Sequence, residues 1–346
     1  MEILLSASQS ETRCPDAPTI IVVNQTANEG APRPTSPTFG EFVRTSFEPS
    51  YLANMRPGGR NQYAYMLKRH ILPELADKRL SDISFDQIQE LVQKALAAGY
   101  AVQSARHIRG VIHCVFRHAL HSGQFAGALP SAGIRLPALV RVRERRALTV
   151  AQAGAVLKEL KSPYREMALV SMTTSMNLAE LCALKWQCVN VTAEPVLWDG
   201  QVIPPDSIFI HQSFYAGSFG PPKTPRRRRL VPLPKAVADA LRRLKETTRF
   251  GGPGELVFSS RNGTPKLASN LRYAVIKPVG RRLGMPWLNW HAFRYTYSTI
   301  GEQLNISLSD RQAGMGHASV WMTQEYTVGD IERLRAGAEM IARKIA

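Results

Sequence analysis

Hydrophobic residues along this chain recur mostly at helical spacing, and breaks in that spacing divide it into segments. From Phe39 to about Phe125 the pattern is helical. Ser84 followed by Gln87 is a capping-box signature ahead of Ile88, Leu91 and Val92, which share one face, so a helix begins there. Further on, Ile108, Val111, Ile112, Val115, Phe116 and Ala119 form one apolar stripe, with Arg106, Arg109, Arg117 and His118 largely off it. That spacing predicts an amphipathic helix with a basic outer face. An earlier helix over 63–70 interleaves Tyr63 and Tyr65 with Lys68, Arg69 and His70. Such a mixture suits a core helix with solvated charges as well as a helix that touches DNA.

Between 127 and 146 the periodicity stops. Pro130, Gly133 and Pro137 are followed by the basic run Arg141, Arg143, Arg145 and Arg146. This composition predicts an interdomain linker able to lie along phosphates. Thr149 and Gln152 form a second capping box, which opens a helix running to about Leu160. Beyond it, 207–210 and 229–233 read as strands joined by a stretch bearing Gly and Pro, and most of the remainder reads as helix. No fixed-period repeat is visible. Residues 1–38 are rich in Pro, Ser, Thr and Ala; the apolar stretch at 19–23 would suit a short strand, but its surroundings favour a mobile tail. The expected organisation is a tail (1–38), a helical domain (39–128), a basic linker (129–148) and a second domain (149–346). The fold class is mainly α with a small antiparallel β-sheet.

Charge changes the picture. Among 346 residues, Lys and Arg number 44 against 27 acidic residues, a net charge of +17. Residues 1–38 carry net −2, so the rest of the chain carries +19. A polyanionic partner is expected, with nucleic acid ahead of anionic lipid or of a basic surface kept for solubility. Cys14, Cys114, Cys182 and Cys188 form no CxxC pair, and a chain of this size needs no disulfide framework, so reduced thiols are expected. No apolar run approaches the ~18 residues that span a bilayer. The expectation is a cytoplasmic protein with no membrane partner.

Candidate chemistry clusters late in the chain. His291-Ala292-Phe293-Arg294 is followed by Gly316-His317 and, nine residues after that histidine, by Tyr326, with Lys223 upstream. Singly these are weak signals, because a lone histidine is usually a satisfied core residue and a lone tyrosine usually packs. Their order carries the weight. The chain here resembles the tyrosine recombinase (phage integrase) family over roughly 39–346, strongly from 149 onward. His291 to Tyr297 matches the family's HxxRHTF-like box, Gly316 to Ser319 its GHSS-like turn, and Thr323 to Tyr326 its TxxY nucleophile segment. Lys223-Thr224 followed by Arg229 to Leu233 is similar to the hairpin that carries the family's lysine. Thr174 to Trp186 matches the TGLRxxELxxLxW box, except that Asn177 stands where the first catalytic arginine is expected. Glu180 is retained, three residues on, where it would share a helical face with Asn177.

The resemblance implies a helical core-binding (SAM-like) domain and a catalytic domain closing around double-stranded DNA as a clamp. Contacts are expected from Lys68, Arg69, Arg106, Arg109, Arg141, Arg143, Arg226 and Arg227. Strand exchange would take place in a tetramer, with an amphipathic segment after Tyr326 (Ile331, Leu334, Met340, Ile341) packing on a neighbouring protomer or on its own domain. It also implies that Tyr326 attacks the scissile phosphate to give a 3′-phosphotyrosine, with no metal or nucleotide cofactor. Lys223 would protonate the 5′-oxygen, His291 and Arg294 would bind nonbridging oxygens, and His317 would bond the phosphate or position the tyrosine. Such a site must neutralise charge on a pentacoordinate phosphorane, for which the planar fork of arginine is suited. Asn177 donates a hydrogen bond but no charge, which implies an enzyme slowed or nearly silenced. Arg226, Arg227 and Arg228 follow Lys223 closely, and any of them would restore the charge if folded into the site. The alternatives are a catalytically silent DNA-binding or regulatory protein and a DNA-relaxing topoisomerase.

Overall fold

The computed structural model describes residues 36–138, 145–317 and 319–324. The stretch at 19–23, Arg141, Arg143, Tyr326 and the segment after it lie outside the described residues. Two hydrophobic cores organise the rest.

The first core is helical. Thr38 caps α1 (Phe39–Phe42), which runs on in π-helical turns over Val43–Leu52. α2 (Pro57–Met66) has proline at its first position, where a missing N–H costs nothing, and continues through π-helical Leu67–Ile71 into α3 (Leu72–Leu75). α4 (Phe85–Ala97) starts on the expected Ser84–Gln87 capping box. α5 (Val102–His121) carries the apolar stripe, every member of it at most 2% exposed, against Phe39, Phe42, Phe47, Leu67 and Ile71. Arg106 and Arg117 face solvent as the spacing predicts, whereas His118 turns in to bond Ser50 Oγ at 2.8 Å and meet the rings of Phe42, Phe47 and Tyr51. Leu129, Ile134 and Leu136 also pack on this core.

The second core begins at Leu148, whose N–H bonds Thr296 Oγ1 at 2.9 Å. The Thr149–Gln152 box opens α6 (Val150–Glu159), with Leu160 as its cap. α7 (Tyr164–Thr174) ends at Ser175, which is left-handed at φ 60°, and α8 (Leu178–Ala183) follows. The strands β1 (Val189–Asn190), β2 (Val196–Trp198), β3 (Gln201–Ile203), β4 (Ser207–Ile210), β5 (Ser213–Tyr215), β6 (Ser218–Gly220) and β7 (Arg229–Pro232) come next. β1, β4 and β7 form an antiparallel sheet with β4 in the middle, buried at all four residues, and Ile210 opposite Arg229. The edge position of β7 accommodates Pro232. The expected plain connection between β4 and β7 contains a hairpin of its own, β5–β6, whose three-residue strands are too short to show a period. Its Tyr215 and Phe219 are exposed.

After the sheet come α9 (Lys235–Thr247), then α10 (Ala268–Asn270), which leads through π-helical Leu271–Ile276 into α11 (Lys277–Arg282). α12 (Trp290–Gln303), α13 (Leu308–Met315) and α14 (Val320–Gln324) complete the described chain. The two halves touch where Arg56 donates to the Pro222 carbonyl at 3.3 Å and where Gly58 lies so close to the Tyr215 ring that a Cβ would sit 2.2 Å from it. Among the described residues no helix is long and apolar enough to cross a membrane.

Candidate active site

Asn289 caps α12 by accepting the His291 N–H at 2.8 Å, which places His291 in the first turn and Arg294 one turn later on the same side. Arg294 is 2% exposed. It donates to the Ser175 carbonyl, to the Met315 carbonyl at 2.6 Å and to His317 Nε2 at 2.7 Å. One guanidinium thus fastens the end of α7 to the end of α13. Because arginine can only donate, Nε2 of His317 accepts, so Nδ1 carries the proton and donates to Thr323 Oγ1 at 3.0 Å. Burial, then Arg294, Arg227 and Arg229, push the His317 pKa down to about 3, so the ring is neutral at physiological pH. His291 is more exposed, yet desolvation by the chain around it, then Arg294 and Arg227, also hold its pKa below the usual histidine range.

Asn177 corrects the sequence reading in one respect. It does not share a helical face with Glu180 but stands before α8 as its cap, at φ −82° and ψ 166°. Its side-chain oxygen accepts the Glu180 N–H at 3.0 Å, while a Glu180 carboxylate oxygen accepts the Asn177 N–H at 3.1 Å. The same box motif that starts α4 and α6 therefore operates here. Glu180 is 2% exposed and receives both Arg229 terminal nitrogens at 3.4 Å, with Arg227 Nη1 at 3.8 Å. Arg229 also donates to the Gly314 carbonyl at 3.0 Å and the Arg227 carbonyl at 3.1 Å.

Gly316 supplies the close approach between these parts. It is left-handed at φ 61°, and a Cβ there would lie 3.1 Å from Arg229 Nη1, 3.2 Å from Arg227 Cα and 3.3 Å from the Arg226 carbonyl. The Gly316-His317 turn rests directly on the 226–229 segment. Lys223 does not lie on a strand. It is exposed in the bend after β6, with no hydrogen bond or ion pair among the described residues. Tyr326 lies outside the described residues, two positions beyond the end of α14, which is joined to His317 through Thr323.

The other expected DNA contacts differ among themselves. Lys68, Arg69 and Arg226 are exposed. Arg106 and Arg109 instead bond the carbonyls of Pro137 and Ser131 at 3.2 Å each, fixing the path by which the chain leaves the first core. The sequence reading missed Ser175, Thr323 and Arg229 as site residues. For Arg229 the one available signal was its position at the start of the strand that follows Lys223.

Two guanidiniums, those of Arg227 and Arg229, pair with the carboxylate of Glu180, a third, that of Arg294, bonds His317, and both nearby histidines favour the neutral form. The cluster carries positive charge in excess, in a place partly shielded from water. An anion with several oxygens is its natural complement.

The pattern of the phage integrase family matches residues 146–333, and that of the phage integrase N-terminal SAM-like domain matches residues 38–96. The integrase of Mycobacterium phage L5 is 23% identical over 314 residues, covering 88% of this chain and 79% of its own length. The XerC-like tyrosine recombinase of Caldanaerobacter subterraneus subsp. tengcongensis is 23% identical over 306 residues, covering 83% of this chain and 78% of its own. Among solved structures, the Tn1549 transposon integrase in complex with transposon right end DNA aligns at a TM-score of 0.68 and 15% identity, over 88% of this chain and 99% of that one. At that identity the likeness is one of fold, and it spans both cores.

Proposed function

The chain belongs to the phage integrase family of site-specific DNA recombinases, and we propose that it cuts and rejoins duplex DNA through Tyr326. The phenol of Tyr326 gives up its proton and its oxygen bonds to phosphorus. The bond from phosphorus to the 5′-oxygen breaks, and Lys223 protonates that oxygen to leave a 5′-hydroxyl. Attack by the 5′-hydroxyl of another strand reverses the sequence and frees the tyrosine. No bond is hydrolysed, so the chemistry calls for neither metal nor nucleotide.

The supporting observation is the convergence on Arg294 of the turns bearing Ser175 and His317, with positive charge in excess around Glu180. Arg294 and His291 would hold the nonbridging oxygens, and Glu180 would hold the arginines in place. His317, neutral and donating to Thr323, would orient Arg294 and the last turn of α14. Asn177 stands where a further arginine is expected; on its own this loss slows cleavage by roughly 10²- to 10³-fold. Asn177 is also the one feature that favours the silent DNA-binding alternative.

Each protomer holds one nucleophile, and exchanging two duplexes requires four strands to be cut, so the working assembly is a tetramer on DNA. Residues 39–128 and 149–346 would clamp the duplex, the 129–148 linker would cross the backbone, and Lys68, Arg69, Arg141, Arg143 and Arg226 would contact phosphates. The setting is the cytoplasm, with no membrane partner. The test is covalent capture. Nicked duplexes with a randomised core are incubated with the protein, and DNA retained after denaturation in detergent is recovered. Native protein is expected to retain a defined sequence and Tyr326→Phe none. Equal retention by both would remove Tyr326 as the nucleophile.

A further inference from the structure

The four consecutive arginines 226–229 stand in different surroundings. Arg229 has its donors on Gly314, Arg227 and Glu180, with its side chain 8% exposed, and serves as a strut. Arg228 turns the other way, 3.9 Å from Asp199 and over the Phe209 ring at 5.2 Å. Arg226 is exposed. Arg227 differs from all of them. Its side chain is 17% exposed, and its one ion pair among the described residues, to the same Glu180 that boxes with Asn177, is long at 3.8 Å. Its Cα lies directly under Gly316, beside His317. A guanidinium has five donors, and among the described residues this 3.8 Å contact engages one terminal nitrogen, Nη1, at more than hydrogen-bond length.

We propose that Arg227 supplies the phosphate-neutralising guanidinium that Asn177 lacks, entering the site from the β6–β7 connection instead of from the start of α8. The inference rests on the recombinase reading above. Glu180 then anchors both Arg227 and Arg229, while Arg294 bonds the His317 ring on which all three arginines act. The lowered pKa values of His291 and His317, to which Arg227 contributes in both cases, are the electrostatic trace of the same placement. Neutral histidines beside it leave the positive charge on the arginines.

The test uses the sequence recovered by covalent capture, made as a nicked duplex in two forms, one with the normal scissile phosphate and one with a neutral methylphosphonate there. Single-turnover cleavage is measured for native protein, Arg227→Gln and Arg227→Lys, with DNA affinity and melting temperature as checks on folding. On the phosphate, Arg227→Gln is expected to cleave about 10²-fold more slowly or worse, with affinity little changed. On the methylphosphonate the gap is expected to shrink to within about tenfold, because the charge to be neutralised has been removed. Arg227→Lys, which keeps the ion pair with Glu180, is expected to fall between the two, since an ammonium cannot hold two oxygens at once. Cleavage of the phosphate by Arg227→Gln at the native rate would overturn the inference and leave the recombinase reading standing. An equal loss on both substrates would overturn it too, by showing a structural role. Native protein that forms no adduct with any DNA would overturn both.

Discussion

Asn177 has its side-chain oxygen committed to the Glu180 N–H, so replacing it has a structural cost as well as a chemical effect. Asn177→Arg loses a helix cap worth about 1 kcal/mol. If Arg227 already neutralises the phosphate, Asn177→Arg should raise the single-turnover cleavage rate by less than about tenfold; a gain of 10²-fold or more would mean that the charge is missing in the native protein. Glu180→Gln leaves two part-buried guanidiniums without their carboxylate and is expected to cost about 3 kcal/mol in chemical denaturation. An effect below about 1 kcal/mol would show that the pairs are weak. His317 gives a pH signature. Its folded pKa, about 3, lies below the unfolded histidine value, so between these limits the unfolded chain binds more protons and stability rises with pH. The melting temperature should therefore fall as pH drops below about 6.5 and be level above it so far as His317 is concerned. His317→Gln should flatten that fall, and an unchanged slope would assign it to other histidines.

At the scale of elements, the turns decide the geometry. Gly316 is left-handed and within 3.1–3.3 Å of three atoms of the 226–229 segment by its would-be Cβ. Gly316→Ala should cost at least about 1–2 kcal/mol from the backbone conformation alone. It should also slow cleavage by more than the loss of folded protein explains, because it pushes the turn off Arg227; normal cleavage by the folded fraction would show that the turn and Arg227 are not coupled. The helices were legible in the sequence wherever a capping box or a clean apolar stripe marked them, the first at Ser84 and Thr149 and the second along α5. The π-helical stretches were not, since they change the backbone without changing the residues a helix prefers. At the site, the order of His291, Arg294, Gly316 and His317 along the chain was readable. The Arg294 bond to the Ser175 carbonyl, 119 positions away in sequence, was not, because backbone carbonyls leave no mark in sequence. Nor was the division of labour among the four arginines, which depends on where β7 begins opposite Ile210.

For the whole molecule, the basic excess predicts DNA binding that weakens steeply with salt. Lys68→Gln and Arg69→Gln should each weaken binding across all sequences and lower the salt slope by about 1. A loss confined to one target sequence would indicate base contacts instead. Everything proposed for the site depends on one tyrosine carrying the DNA strand during exchange. Digesting the captured adduct with protease and nuclease, and identifying both ends of the break, puts that dependence to the test. A nucleotide joined through its 3′-phosphate to the peptide containing Tyr326 is expected, together with a free 5′-hydroxyl on the strand released. A nucleotide on any other residue, or one joined through a 5′-phosphate, would rule the tyrosine mechanism out.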